Sequence, residues 1–174
     1  MANIIKKYRW FWAWEDEKEE AWLSEMAAEG WHLTRISFPG LYHFQQSEPD
    51  EIVYRLDYQT LDKKDRESYL QLFQDAGWEH VADMSGWVYF RRSTADAADL
   101  EIFNDLESKS KKYQRILIYL IIFLPIFVVL MPELGEHTGT FFQVVQGLYF
   151  TMLLIYVYTM IRLLGRIGEL DQKE

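Results

Sequence analysis

Histidine is the first residue type to ask about, because an imidazole can ligate a metal or carry a proton near neutral pH. His32, His43, His80 and His137 show no HxH, HxxxH or HExxH spacing. A metal centre needs three or four converging ligands, so the sequence predicts no metal and solvated or sheet-edge histidines. The acidic run Glu15–Glu20 has the look of a cation site, but helix capping and a solvated helix face account for it. Asp57 with Glu48, Asp50 or Glu51 is the best available carboxylate pair. Acid–base work would need two such groups in one cleft with their pKa values pushed apart. No Ser stands in a nucleophile elbow, and no Gly-rich loop could cradle phosphate. The chain has no cysteine, which excludes disulfides and thiolate chemistry. The expectation is no catalysis and no cofactor.

The aromatic residues say more. They make up 17% of the chain, and all seven Trp lie before residue 93. The segment from Tyr8 to Trp14 places Tyr8, Trp10, Trp12 and Trp14 at one parity and Arg9, Phe11 and Ala13 at the other, so both faces of a strand would be rich in rings. A half-covered sheet needs about one apolar residue in two along each strand. Packing therefore uses up roughly half of these rings, and the surplus must line a ligand groove, a dimer interface or a headgroup region. Trp10, Trp12, Tyr42, Tyr54, Tyr58, Trp87 and Tyr89 are the candidate binding residues. Rings with a few charges suit flat apolar or cationic ligands. Arg9 and Arg55 occupy equivalent positions and are added to that set. They either pair with acidic neighbours or provide a polar fixture in the groove.

The elements that would position these side chains repeat. A strand through Tyr8–Trp14 leads to a helix over Glu15–Glu29. Asp16 and Glu19 form a capping box there, Trp22, Leu23, Met26 and Ala27 form the apolar stripe, and Gly30 is the stop. Strands Trp31–Ser37 and Leu41–Gln46 flank the turn Phe38-Pro39-Gly40. The series then starts again with strand Ile52–Tyr58, helix Asp62–Ala76 ending at Gly77, and strands Trp78–Met84 and Trp87–Arg92. Tyr8-Arg9 matches Tyr54-Arg55 at an offset of 46, and Gly30-Trp31 matches Gly77-Trp78 at an offset of 47. Neither half is large enough to bury a core alone. The predicted fold is α+β: a tandem βαββ repeat over 1–92, related by a pseudo-twofold axis. It would form one antiparallel-rich sheet with two helices on one face.

The second half of the chain reads differently. Residues 93–115 predict a juxtamembrane helix, with Leu100, Phe103 and Leu106 at helical spacing. Ile116–Pro132 is a run of seventeen uncharged residues, and a second apolar run spans 141–164. Each approaches the ~30 Å needed to cross a bilayer, and Pro125 predicts a kink in the first. Lys109, Lys111, Lys112 and Arg115 precede the first span, and Arg162, Arg166 and Lys173 follow the second. The loop between them has no Lys or Arg. This bias predicts a two-helix transmembrane hairpin over 116–164, a cytoplasmic tail over 165–174, and both termini in the cytoplasm of a membrane-anchored protein. The N-terminal residues lack an apolar core and do not read as a signal peptide. Charge is uneven too: residues 1–108 carry 11 Lys and Arg against 22 Asp and Glu. So acidic a domain is repelled by phosphate backbones, and no direct nucleic-acid partner is expected.

Glu17-Lys-Glu-Glu-Ala-Trp-Leu23, Ala28-Glu-Gly-Trp-His-Leu33, Val53-Tyr-Arg-Leu-Asp-Tyr58, Ala76-Gly-Trp78 and Gly86-Trp-Val-Tyr-Phe-Arg91 carry a family resemblance. Over about residues 6–92 the chain resembles the bacterial domain-of-unknown-function 2812 family. The resemblance implies C-terminal membrane spans. It also implies a regulatory role, because such genes commonly neighbour PadR-type transcriptional regulators. It supplies no catalytic residues. The doubled βαββ layout is also similar to the small-molecule-binding domains of the GyrI-like group, a likeness of topology that does not fix a function.

The reading that follows is a membrane-anchored cytoplasmic sensor or regulatory binding module with an aromatic ligand or partner surface. The alternative is a structural accessory subunit of a membrane complex. Expected partners are the lipid bilayer, a PadR-type regulator or another membrane protein, a small aromatic or cationic ligand, and a second copy in a homodimer.

Overall fold

The computed structural model describes residues 3–96, 106–135 and 139–172. The chain divides into two units, Met1–Asn104 and Asp105–Glu174.

Among its described residues the first unit holds six strands and two α-helices: β1 (Ile4–Tyr8), α1 (Asp16–Ala28), β2 (Trp31–Ser37), β3 (Leu41–Gln46), β4 (Ile52–Tyr58), α2 (Lys63–Asp75), β5 (Glu79–Met84) and β6 (Trp87–Ser93). The strands form two antiparallel three-stranded sheets, β1-β3-β2 and β4-β6-β5, rather than the single sheet expected. The reason lies in the facing edges. β2 is irregular between Leu33 and Arg35, and β5 between His80 and Ala82, at positions 47 apart. A bulge twists an edge strand and blunts its ladder. The two edges lie close together, but each sheet keeps its own ladder.

The expectation of two helices on one face is also corrected. α1 packs between the sheets. Its Leu23, Met26 and Ala27 share one core with Leu33, Ile36, Tyr42 and Phe44 of the first sheet and Ile52, Tyr54, Leu56 and Tyr89 of the second. α2 covers the other face of the second sheet, where Phe73 meets Val88 and Phe90. The second sheet is thus covered on both sides and the first on one. Leu23 is fully buried, which contributes about 1.5–3 kcal/mol from its side chain alone.

Other details match between the halves. Gly30 and Gly77 end their helices at φ +84° and +82°, the left-handed conformation that glycine adopts without a Cβ clash. Asp62 caps α2, accepting from the amides of Lys64 and Asp65 at 3.0 Å. At α1 the expected capping box is absent. Glu15 occupies the cap position, but its side chain accepts from the preceding Trp12 amide at 3.2 Å and from Lys18 rather than from the first amides of the helix, and Asp16 is already helical. The expected strand Tyr8–Trp14 does not form: the observed strand is Ile4–Tyr8, followed by one further backbone bond from the Arg9 amide to the Gly40 carbonyl at 3.0 Å. Residues 9–15 continue as an irregular segment.

The second unit is two helices packed on each other, α3 (Leu106–Gly135) and α4 (Thr140–Asp171). α3 runs through Pro125 without a break in helical assignment. Leu100 and Phe103, expected on the linker helix, lie outside the described residues. α4 is long and apolar enough to cross a membrane, and among the described residues it is the one helix that is. Phe141, Val144, Leu148, Leu154 and Ile161 along it are all exposed.

Candidate functional site

A cavity of about 200 Å³ opens in the first unit where the equivalent turns of the two halves converge. The turn between β2 and β3 contributes Phe38 and Gly40, and the turn between β5 and β6 contributes Met84 and Ser85. The segment from Arg9 to Ala13 lies along one wall, and the first turns of α1 bring in Asp16 and Glu19. The alternation expected for a strand survives in this irregular segment. Phe11 turns inward, 5.7 Å from Trp22 and 6.5 Å from Tyr42 between ring centres. Trp10 and Trp12 turn outward, 50% and 38% exposed. Trp12 stacks on Trp14 at 5.2 Å with planes 6° apart, and Trp10 meets it edge-on at 6.0 Å.

The centre of the site is a buried carboxylate. Glu19 Oε1 accepts from the Tyr42 hydroxyl at 2.6 Å and the Tyr89 hydroxyl at 2.7 Å, so one oxygen joins the first sheet to the second. Burial raises the Glu19 pKa, the two tyrosine hydroxyls partly offset this by stabilising the anion, and Asp16 nearby raises it further. The phenols are held protonated: burial and the Glu19 charge push Tyr42 and Tyr89 far above the ordinary tyrosine range. The Arg9 guanidinium sits over the rings of Phe11 at 5.0 Å and Trp22 at 4.9 Å. This is a cation–π arrangement that leaves a positive group beside the acids.

Of the nine candidate residues, Arg9, Trp10, Trp12, Tyr42, Trp87 and Tyr89 line this one cavity. The other three lie elsewhere. Tyr54 is fully buried in the core, where its hydroxyl accepts from the Leu33 amide at 3.2 Å. Tyr58 packs edge-on against Trp87 at 5.5 Å and closes over Gly86. Arg55 lies 3.5 Å from Glu20 and donates to its neighbour's carbonyl at 2.9 Å. Thus the two equivalent arginines part company, Arg55 in an ion pair and Arg9 at the cavity.

The reading of Glu15–Glu20 as capping and a solvated face is corrected at three positions, since Asp16, Glu19 and Glu20 are all buried. Glu20 accepts from the Leu56 amide at 2.8 Å. The signal was available, because residues 16, 19, 20, 23, 26 and 27 share one helical stripe, and its last three members are the apolar ones. The carboxylate pairing suggested for Asp57 does not form. Asp57 is buried and accepts from the Tyr69 hydroxyl at 2.9 Å, whereas Glu48, Asp50 and Glu51 are exposed before the far end of β4. His32 meets the Glu48 carbonyl at 3.0 Å, and His80 meets Asp83 at 3.0 Å. His137 lies outside the described residues.

An apolar cavity with a few convergent polar groups is the ordinary form of a small-molecule site. This one is smaller than the usual ~300–1,000 Å³, so it would admit one ring or a compact group and leave the rest of a larger ligand against Trp10 and Trp12. Fold and site together define an α+β protein with two linked antiparallel sheets, an aromatic cavity and an apolar helical unit. The chain belongs to the DUF2812 family of proteins of unknown function, whose model matches residues 15–124. That match omits β1 and runs into α3, so it is shifted from the 6–92 expected. No curated protein and no solved structure matches the chain.

Proposed function

We propose that this protein is a membrane-anchored binding module whose aromatic cavity takes a small ligand with a flat apolar part and a cationic group. The observation that carries this reading is Glu19, a carboxylate 6% exposed on the wall of a cavity otherwise made largely of rings. Removing a charge from water costs free energy unless a partner compensates. A bound cation would gain both the carboxylate and the faces of Trp10, Trp12 and Trp87. Because the cavity bridges both sheets, occupancy would stiffen the joint between the halves and could pass to a partner such as a PadR-type regulator. No group in this arrangement is set up as a nucleophile, and catalysis forms no part of the proposal.

The anchor consists of α3 and α4 as a two-span hairpin, with both termini cytoplasmic. The 22 residues of α4 from Thr140 to Ile161 carry no charge, about 33 Å of helix against a ~30 Å hydrocarbon core. Basic residues flank the hairpin on its outer sides and are missing from the connecting loop, in keeping with the positive-inside rule.

The test is a thermal-shift screen of flat organic cations and neutral analogues of the same shape, using full-length protein in detergent. All seven Trp lie in the first unit, so intrinsic fluorescence follows that unit. The expected result is stabilisation by cations over neutral analogues, reduced about five- to thirtyfold in affinity by Trp12→Ala, since stacking and cation–π contacts are worth about 1–2 kcal/mol. Equal response to both series, or an unchanged response in Trp12→Ala, would sink the assignment.

A further inference from the structure

The uncovered face of the first sheet has an unusual charge pattern. Pairing across β1, β3 and β2 places Ile4, Gln45 and His32 in one row, Lys6, His43 and Arg35 in the next, and Tyr8, Leu41 and Ser37 in the third. No Asp or Glu occurs among these nine residues, although residues 1–108 carry twice as many acids as bases. The middle row sets three basic side chains on adjacent strands. Lys6 and Arg35 thus lie on the two strands either side of His43, and an anion meeting this row would complement both cations. Among the described residues neither Lys6 nor Arg35 has a carboxylate partner. The Nε2 of His43 is shielded from solvent and has no hydrogen-bond partner.

The rim of the same face is apolar. Ile4 is 59% exposed, Tyr8 66% and Phe38 73%, with Trp10 close by along the chain. Five of the six exposed large apolar residues described in the first unit, including Trp10 and Trp12, fall on β1, the segment after it, or the adjoining turn. Scattered singly they would mean nothing, but gathered together they mark an interaction surface. Trp and Tyr beside Lys and Arg is the composition found where proteins meet lipid headgroups. The same chain carries α4, which is long and apolar enough to hold it at a bilayer.

We propose that this face docks on an anionic phospholipid surface, with the exposed Lys6 and Arg35 against the phosphates and Tyr8, Trp10 and Phe38 in the headgroup layer. The proposal goes beyond ligand binding in the cavity, and it gives an acidic domain a cationic side to turn toward an anionic leaflet. Docking would bring the Trp10 side of the cavity to the headgroup layer.

The chain lacks cysteine, so a single introduced thiol can report the docked state. Full-length protein carrying Gln45→Cys is placed in nanodiscs of phosphatidylcholine alone or with phosphatidylglycerol, and maleimide labelling is timed. The expected result is slower labelling in the anionic discs, by about fivefold for each basic side chain engaged. The difference should vanish in Lys6→Glu/Arg35→Glu and persist in Lys18→Glu, a charge reversal at an exposed site on α1. Equal labelling in both discs overturns the proposal. So does protection that follows protein concentration instead of lipid, which would mean a second copy covers the face, or protection by inorganic phosphate in neutral discs, which would mean a free anion. Failure here leaves the cation-selective thermal shift of the cavity untouched, because that measurement is made without a bilayer.

Discussion

Glu19 offers the sharpest test of the energetics, because its acceptor role and its charge can be removed separately. Glu19→Ala leaves the hydroxyls of Tyr42 and Tyr89 without their acceptor in a place where those side chains are 1% and 0% exposed. A stranded buried hydroxyl costs about 1–3 kcal/mol, so two cost about 2–6 kcal/mol, and relief from burying a carboxylate offsets part of that. A net loss of about 2–3 kcal/mol corresponds to a fall of roughly 10–20 °C in Tm for a domain of this size. Glu19→Gln keeps an acceptor oxygen and removes the charge. Because the folded state raises the Glu19 pKa, its surroundings on balance disfavour the anion, and the neutral isostere should be at least as stable near pH 7.

The pH dependence follows from the same shift. The native state holds the Glu19 proton to a higher pH than the unfolded chain does, so this contribution is complete below the unfolded pKa. It is lost as pH rises from the ordinary carboxylate range toward the raised folded value. The wild type should therefore lose stability relative to Glu19→Gln across that window. The assay is Trp fluorescence during heating of the full-length protein in detergent at a series of pH values. If Glu19→Ala melts with the wild type, or Glu19→Gln falls as far as Glu19→Ala, the bridging carboxylate has been misjudged. For function the order reverses: Glu19→Gln should fold well and lose preference for cationic ligands, a separation of stability from activity common at binding sites.

Two further outcomes are expected. Gly86 sits at φ +91°, and a Cβ there would meet the Tyr58 ring at 2.7 Å. Gly86→Ala should accordingly lower the fluorescence-detected Tm, by about 1–3 kcal/mol of strain and displaced packing, and a melt equal to wild type would contradict that geometry. For the anchor, single cysteines at Ser24 and at Thr138 should label from opposite sides of sealed inverted vesicles, the first with impermeant reagent outside and the second only after permeabilisation. Labelling of both from one side would exclude the two-span arrangement.

The local series of elements was legible because each carries its own punctuation. Gly30 and Gly77 stop helices, the turns at 38–40 and 85–86 separate strands, and the apolar stripe of α1 has a helical period. The even offset between the halves was readable for the same reason. The apolar length of α4 was equally plain, since hydropathy over some twenty residues needs no partner to be recognised. Six of the nine candidate residues also reached one cavity, because surplus rings on facing strands have few places to go.

Tertiary structure decided the rest. Periodicity shows that a helix has an apolar stripe but not which sheet the stripe meets, and α1 meets two. Asp16, Glu19 and Glu20 look solvated as a charge run and are buried because both flanks of α1 are covered. Tyr54 and Tyr58 have the same composition as Tyr42 and Tyr89, yet only the latter pair faces the carboxylate. Which face of the first sheet stays open, and hence that Lys6, His43 and Arg35 fall in one row, depends on strand order and register. Those are set by contacts between residues tens of positions apart, which no local pattern encodes.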